Sequence, residues 1–155
     1  MKYYKFYDFK ICILGIAEND GVISNIFFKD SKPPNGFIEN ETSLIKTTIK
    51  QLEEYFAKKR KVFDIPLILN GTIFRKKVWE ALRTIPYAET RSYGEIAAMI
   101  NNPKACRAVG MANNTNQIPI IIPCHRVIGH DGSLTGYAGG LELKQKLLDL
   151  EKSAV

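Results

Sequence analysis

Histidine and cysteine are scarce in this sequence, and their scarcity narrows the chemistry. Two histidines and three cysteines stand among 155 residues. Cys12, Cys106 and Cys124 are odd in number and far apart, so they do not read as a disulfide framework. Cys106, Cys124, His125 and His130 lack the paired spacing of zinc ligands, and no metal site follows from them. Long apolar runs are missing, which argues against a membrane-spanning helix. The opening Met1-Lys2-Tyr3-Tyr4-Lys5 has neither the apolar stretch nor the cleavage site of a secretory leader. There are no low-complexity tracts and no internal repeats. A soluble, cytoplasmic protein is expected.

What is present is ordinary globular composition, 45% hydrophobic and 25% charged, enough for one domain or two small ones. The net charge is +6, of which residues 72–155 carry +4 and residues 1–71 carry +2. A basic excess on the C-terminal side permits an anionic partner such as nucleic acid without requiring one.

Residues 2–9, 11–17 and 22–28 are aromatic and aliphatic. Asn19-Asp20-Gly21 is a turn signal, so 11–17 and 22–28 read as a hairpin. Lys32-Pro33-Pro34-Asn35-Gly36 is a loop. Leu44, Ile45, Ile49, Leu52, Tyr55 and Phe56 fall at helical spacing and predict a helix over 42–58. The basic run Lys58-Lys59-Arg60-Lys61 suits a solvated helix end. This half reads as a small α/β domain, residues 1–66, with no chemistry of its own, joined by a linker at 67–71 to a second domain at 72–155.

In the second domain Ile73, Phe74, Val78, Trp79, Leu82 and Ile85 mark a helix with Thr72 as N-cap, and Pro86 stops it. Trp79 at this spacing is a core residue. Ser92 and Glu95 form a capping box at the start of a third helix. Asn101-Asn102-Pro103 turns into a fourth, predicted over 103–113. Two short helices joined by a tight turn are a candidate helix-turn-helix. The fourth is built of small residues, Ala105, Ala108, Gly110 and Ala112, around one large cation, Arg107. Close approach to DNA and tight helix packing with Arg107 in water both fit this pattern. A last helix runs over 141–151 and ends in Glu151.

The densest chemistry lies at 118–127, Ile-Pro-Ile-Ile-Ile-Pro-Cys-His-Arg-Val. An apolar β-branched run is built for burial, and its two prolines exclude a helix and a central strand. It reads as a stiff, extended, buried segment that holds Cys124 in one place. Cys124 is then either a nucleophile activated by His125 or Arg126, or a buried structural cysteine.

Taken together, these pieces resemble the O6-alkylguanine-DNA alkyltransferase family. The resemblance covers residues 70–151 and rests on Val78-Trp79, Ile85-Pro86, Ser92-Tyr93-Gly94-Glu95, Arg107-Ala108-Val109-Gly110, Asn116, Pro123-Cys124-His125-Arg126-Val127, Tyr137-Ala138-Gly139-Gly140 and Glu151. It implies a ribonuclease-H-like α/β N-terminal domain, then a mainly α domain with a helix-turn-helix. The implied activity is direct-reversal repair. One alkyl group passes irreversibly from O6 of guanine, and in some cases O4 of thymine, in duplex DNA to Cys124.

The resemblance also assigns roles. Cys124 is the acceptor. His125, acting through a water because neighbours in an extended segment point apart, and Glu151 form the relay that makes the thiolate. Tyr93 helps protonate the departing base, and Asn116 braces the helix-turn-helix against the Cys124 segment. Arg107 fills the space left by the flipped base, while Ala105, Ala108, Gly110 and Ser92 lie on the DNA. Val127 and Cys124 carbonyls accept from the base amine, the Ala138 amide donates to O6, and Tyr137 is a wall. Ala138 stands where many members carry serine. No cofactor is implied, and the expected partner of the monomer is double-stranded DNA containing O6-alkylguanine. A DNA-binding relative without transfer activity and a turnover thiol hydrolase are the rival readings.

Overall fold

The computed structural model describes residues 1–154. The chain divides into two compact units, Met1–Asn70 and the residues from Gly71 on.

In the first unit, β1 (Lys2–Asp8), β2 (Ile13–Asn19) and β3 (Val22–Phe28) are antiparallel neighbours, and β4 (Ile38–Glu39) adds to β1 in parallel. Asp20 and Gly21 both have positive φ, 50° and 87°, as a tight two-residue hairpin requires. Helix α1 (Ser43–Phe56) lays Ile45, Ile49, Leu52 and Tyr55 against Leu14, Ile16 and Ile23. Gly15 is a glycine because the Phe27 ring lies over it; a Cβ there would come within 2.2 Å of that ring.

Two expectations change here. The basic run 58–61 lies beyond the helix rather than in its last turn: α1 ends at Phe56, Lys58 takes φ 63°, and Arg60 returns to Glu54 at 2.9 Å. The linker expected at 67–71 is shorter, because Ile23 donates to the Pro66 carbonyl and accepts from the Ile68 amide. That isolated parallel bridge, with Leu67 beside Ile23, ties the first part of the segment to the sheet.

The second unit is mainly helical. It contains α2 (Ile73–Arg83), the short β5 (Arg91–Ser92), α3 (Tyr93–Met99), α4 (Cys106–Asn114), β6 (Val127–Ile128) and α5 (Leu141–Ser153). Thr72 caps α2 by accepting from Arg75 N at 3.2 Å, and Ser92 with Glu95 closes both bonds of the capping box on α3. Trp79 is 1% exposed, and its indole N–H donates to the Ala112 carbonyl at 2.8 Å, pinning α2 to α4. No helix among the described residues is long and apolar enough to cross a membrane.

Helix α4 begins later than 103. Asn101 takes φ 60°, and the Ala105 amide bonds the Asn102 carbonyl, so Pro103 sits in the interhelical turn. This places Arg107 second in α4, where backbone N–H groups lack intrahelical acceptors. The last helix also runs past 151, so Glu151 lies inside its final turn.

Candidate active site

The 118–127 stretch is buried as its composition dictates, but it is not extended. Ile122 N returns to Ile118 O at 2.9 Å, and Cys124–Arg126 is a single 3-10 turn. Asn116 closes the loop with its side chain: Oδ1 accepts from Ile118 N at 3.0 Å and Nδ2 donates to Ile122 O at 2.8 Å. Ile120 is thereby held at φ 74°, a conformation that a β-branched residue rarely adopts. The argument that extended neighbours point apart therefore does not hold for Cys124 and His125.

Four bonds from three residues converge on Glu151, whose side chain is 1% exposed. Arg126 donates through Nε at 2.9 Å and Nη2 at 3.0 Å, and the Ala88 amide donates at 3.0 Å. His125 Nε2 lies 2.6 Å from Oε2. Burial by itself raises the carboxyl, but the bonds and charges of His125 and Arg126 outweigh it and hold Glu151 at about 2. An ionised carboxylate only accepts, so the neutral imidazole donates from Nε2 and carries its lone pair on Nδ1. Burial keeps that imidazole neutral, pushing His125 below its ordinary value against the pull of Glu151. Arg126 spends its remaining Nη1 on the Ile85 carbonyl at 2.8 Å. It is committed to Glu151 and the α2 end, not to the sulfur.

Cys124 is 3% exposed, and burial pushes its thiol up to about 11. The opposing influences are an Asn116 hydrogen bond, the charge of Lys144 and the local backbone. Asn113, 2% exposed, donates to the Cys124 carbonyl at 3.3 Å.

An open cavity of about 660 Å³ lies between the starts of α3 and α4 and the 129–136 loop. Tyr93, Arg107 and Gly110 meet there with Cys106, His130 and Thr135. The Tyr93 hydroxyl donates to the Thr135 carbonyl and accepts from its hydroxyl, both at 3.1 Å. Arg107 and Ala108 are exposed; Ala105 and Gly110 are half-buried. Ser92, expected on DNA, has its hydroxyl engaged by Glu95 N at 3.1 Å. The residues expected to form the base pocket are placed differently from the cavity wall. Val127 is buried with its carbonyl accepting from Lys144 at 2.6 Å, Tyr137 is half-buried, and Ala138 is exposed on the loop before α5.

The pattern of the "6-O-methylguanine DNA methyltransferase, DNA binding domain" matches residues 73–153, and that of the ribonuclease-like domain of the same proteins matches residues 2–69. The chain belongs to the 6-O-methylguanine DNA methyltransferase family. A relative in this family, the methylated-DNA–protein-cysteine methyltransferase of Methanosarcina acetivorans, is 53% identical over 144 residues, covering 91% of this chain and 92% of its own. The constitutive methyltransferase of Bacillus subtilis is 45% identical, covering 98% and 96%. Among solved structures, Mycobacterium tuberculosis OGT in complex with DNA superposes with a TM-score of 0.93 at 46% identity, covering 99% of this chain and 94% of that one. The ribonuclease-like sheet followed by helices is thus the fold of the family.

Two residues beside Cys124 and Val127 are not singled out by the sequence pattern. Lys144 is completely buried, with Nζ on the Val127 and Thr135 carbonyls at 2.6 and 2.9 Å. Its signal was its place in a stripe, Lys144, Leu147, Leu148, Glu151, which runs i, i+3, i+4, i+7 along the buried face of α5. Asn113 gave no such signal beyond sitting next to buried Ala112.

Proposed function

We propose that this chain repairs alkylated DNA by taking the alkyl group of O6-alkylguanine onto Cys124, once per molecule. The observation that carries this is the placement of one buried thiol on a turn clamped by Asn116 and Asn113, beside the His125–Glu151–Arg126 cluster. The Cys124 sulfur attacks the alkyl carbon. A C–S bond forms, the C–O bond breaks, and the electron pair leaves with guanine, which takes its proton from the Tyr93 side. His125 accepts the thiol proton at Nδ1, and Glu151, already ionised, stabilises the resulting cation. No cofactor is needed for this displacement.

The alkylated base must leave the helical stack to meet a thiol this buried. The exposed surface of α4 carries small residues and Arg107, and its N-terminal amides favour a phosphate. Arg107 fills the gap in the duplex while the narrow face of the helix enters the minor groove. Residues 72–155 then hold all of the chemistry, and 1–66 form a supporting α/β domain. Since one chain supplies Cys124, His125, Glu151, Tyr93 and Arg107, the protein works as a monomer. Its free cysteines suit the reducing cytoplasm. In this reading the carbonyls of Cys124 and Val127 meet the base amine in competition with their present donors, Asn113 and the Val127 amide on the first and Lys144 on the second, and the Ala138 amide supplies the donor to O6.

The test is mass spectrometry after incubation with duplex containing O6-methylguanine. Wild type and Cys106→Ser gain one methyl, on Cys124; Cys124→Ser gains none but still binds the duplex, with affinity falling as salt rises. Labelling that persists in Cys124→Ser, or repeated product release by one molecule, removes this reading.

A further inference from the structure

We propose that Asn113 is a specificity-determining residue, whose side-chain oxygen Oδ1 accepts the exocyclic amine of O6-alkylguanine. The proposal rests on Cys124 being the alkyl acceptor. Asn113 lies on α4, and its side chain reaches the Cys124 turn, where Nδ2 donates to the Cys124 carbonyl at 3.3 Å. A carbonyl accepts and never donates, so this contact fixes which end of the carboxamide is nitrogen. The other end, Oδ1, is buried and has no hydrogen-bond partner among the described residues. One carbon carries both atoms, so Oδ1 lies beside the carbonyl that Nδ2 touches. A buried acceptor left without a donor costs stability and calls for a reason.

The neighbouring acceptors are engaged. A carbonyl oxygen has two lone pairs. That of Cys124 takes Asn113 Nδ2 and the Val127 amide, and that of Ile122 takes the Cys124 amide and Asn116 Nδ2. The Val127 carbonyl takes the Lys144 ammonium, and Asn116 Oδ1 takes the Ile118 amide. Of these acceptors, Asn113 Oδ1 alone has no donor. It is also held in place, because the Trp79 indole fixes the adjoining Ala112 carbonyl of α4 at 2.8 Å. The substrate brings the missing donor. Alkylation at O6 removes the N1 hydrogen of guanine, and the amine on C2 is then the one N–H donor of the base. It lies on the same ring edge as the alkyl group. With the alkyl carbon at the Cys124 sulfur, the amine faces the turn that carries that sulfur. A neutral carboxamide oxygen receives it without taking a charge into a dry site. O4-alkylthymine has a carbonyl oxygen in place of the amine, so two acceptors would face one another.

The experiment uses two duplexes, one with O6-methylguanine and one with O6-methylhypoxanthine, the same base without its amine. Single-turnover methyl transfer is measured for wild type, Asn113→Leu and Asn113→Asp, with circular dichroism alongside. Wild type should react about tenfold faster with O6-methylguanine, the worth of one buried hydrogen bond. Asn113→Leu should bring the two rates within about twofold of each other. Asn113→Asp keeps an acceptor and loses Nδ2, so it should keep the preference even if both rates fall. Equal wild-type rates overturn the proposal. A preference unchanged in Asn113→Leu shows only a clamp on the Cys124 carbonyl and overturns it too, as does a preference lost in Asn113→Asp. If Asn113→Leu does not fold, the Asn113 side-chain carbonyl is followed by carbon-13 NMR in Cys124→Ser with each duplex bound. Its resonance should move with O6-methylguanine and not with the analogue; an equal response to both overturns the proposal. This comparison needs no alkyl transfer. A wild-type protein that gains no methyl from either duplex therefore refutes the repair reading separately.

Discussion

Arg126 holds Glu151 through two guanidinium nitrogens, at 2.9 and 3.0 Å, with both side chains almost wholly out of water. The planar fork matches the carboxylate edge on, and the third nitrogen reaches the Ile85 carbonyl at 2.8 Å. Arg126→Met removes these bonds and leaves Glu151 with only part of its compensation. Losing one partner of a buried pair costs about 3–5 kcal/mol. Urea unfolding should show that loss, whereas Lys5→Met, which breaks an exposed pair with Glu39, should cost under about 1 kcal/mol.

Acid should destabilise the fold in two stages. His125 is depressed in the folded state, so the unfolded chain takes up its proton first, and stability falls as pH drops below about 6.5. Glu151 is depressed from 4.5 to about 2, so its contribution is complete above 4.5 and is lost as pH falls through that window. Denaturant titrations at a series of pH values should show both slopes. Glu151→Gln should abolish the lower one.

The same variant has a kinetic consequence. Without the anion behind His125, the imidazolium that receives the Cys124 proton is less stable. Glu151→Gln should transfer slowly at neutral pH and recover only as pH rises toward the value to which burial pushes the Cys124 thiol, about 11. A pH–rate profile that overlays wild type would remove Glu151 from proton transfer.

Arg107 lies at the exposed start of α4 and faces the 660 Å³ cavity. If it fills the space left by the base, Arg107→Ala should slow repair of duplex far more than reaction with free O6-benzylguanine. If Arg107 also meets a phosphate, the salt slope of duplex binding should fall by about one. Equal slowing on both substrates would assign Arg107 some other task.

Ser92 is the N-cap of α3, and its hydroxyl is spent on Glu95 N. Ser92→Ala should cost about 1 kcal/mol of stability. Duplex affinity should change little; a large loss of affinity with unchanged stability would return Ser92 to the DNA surface.

Much of this was legible because local rules agreed with the tertiary structure. Thr72 and Ser92 announced helix starts, Trp79 at helical spacing went to the core, and Asp20-Gly21 made its hairpin. The position of Glu151 at the end of the last helix lets it fold back onto His125, 26 residues away, but its role in a relay was legible only through resemblance. The shape of 118–127 was missed because two prolines suggest stiffness, while the bend is imposed by the side chain of Asn116, which composition does not reveal. The start of α4 was misplaced because Pro103 suits a first helical position, yet Asn101 had already turned the chain. Lys144 escaped notice because a lysine between leucines normally extends its ammonium into water.

Ile120 carries a consequence for any effort to make this protein hardier. Its side chain is 1% exposed while its backbone is in the left-handed region, so the position makes two demands that no single amino acid meets. Glycine would relax the backbone and leave a hole; asparagine would suit the dihedral and bury an amide; isoleucine fills the core and accepts the strain. Substitutions chosen for thermostability at this position therefore compete with the placement of a sulfur only four residues further along the chain. Combinatorial libraries at 120 should yield variants that gain in melting temperature or in transfer rate, and few that gain in both.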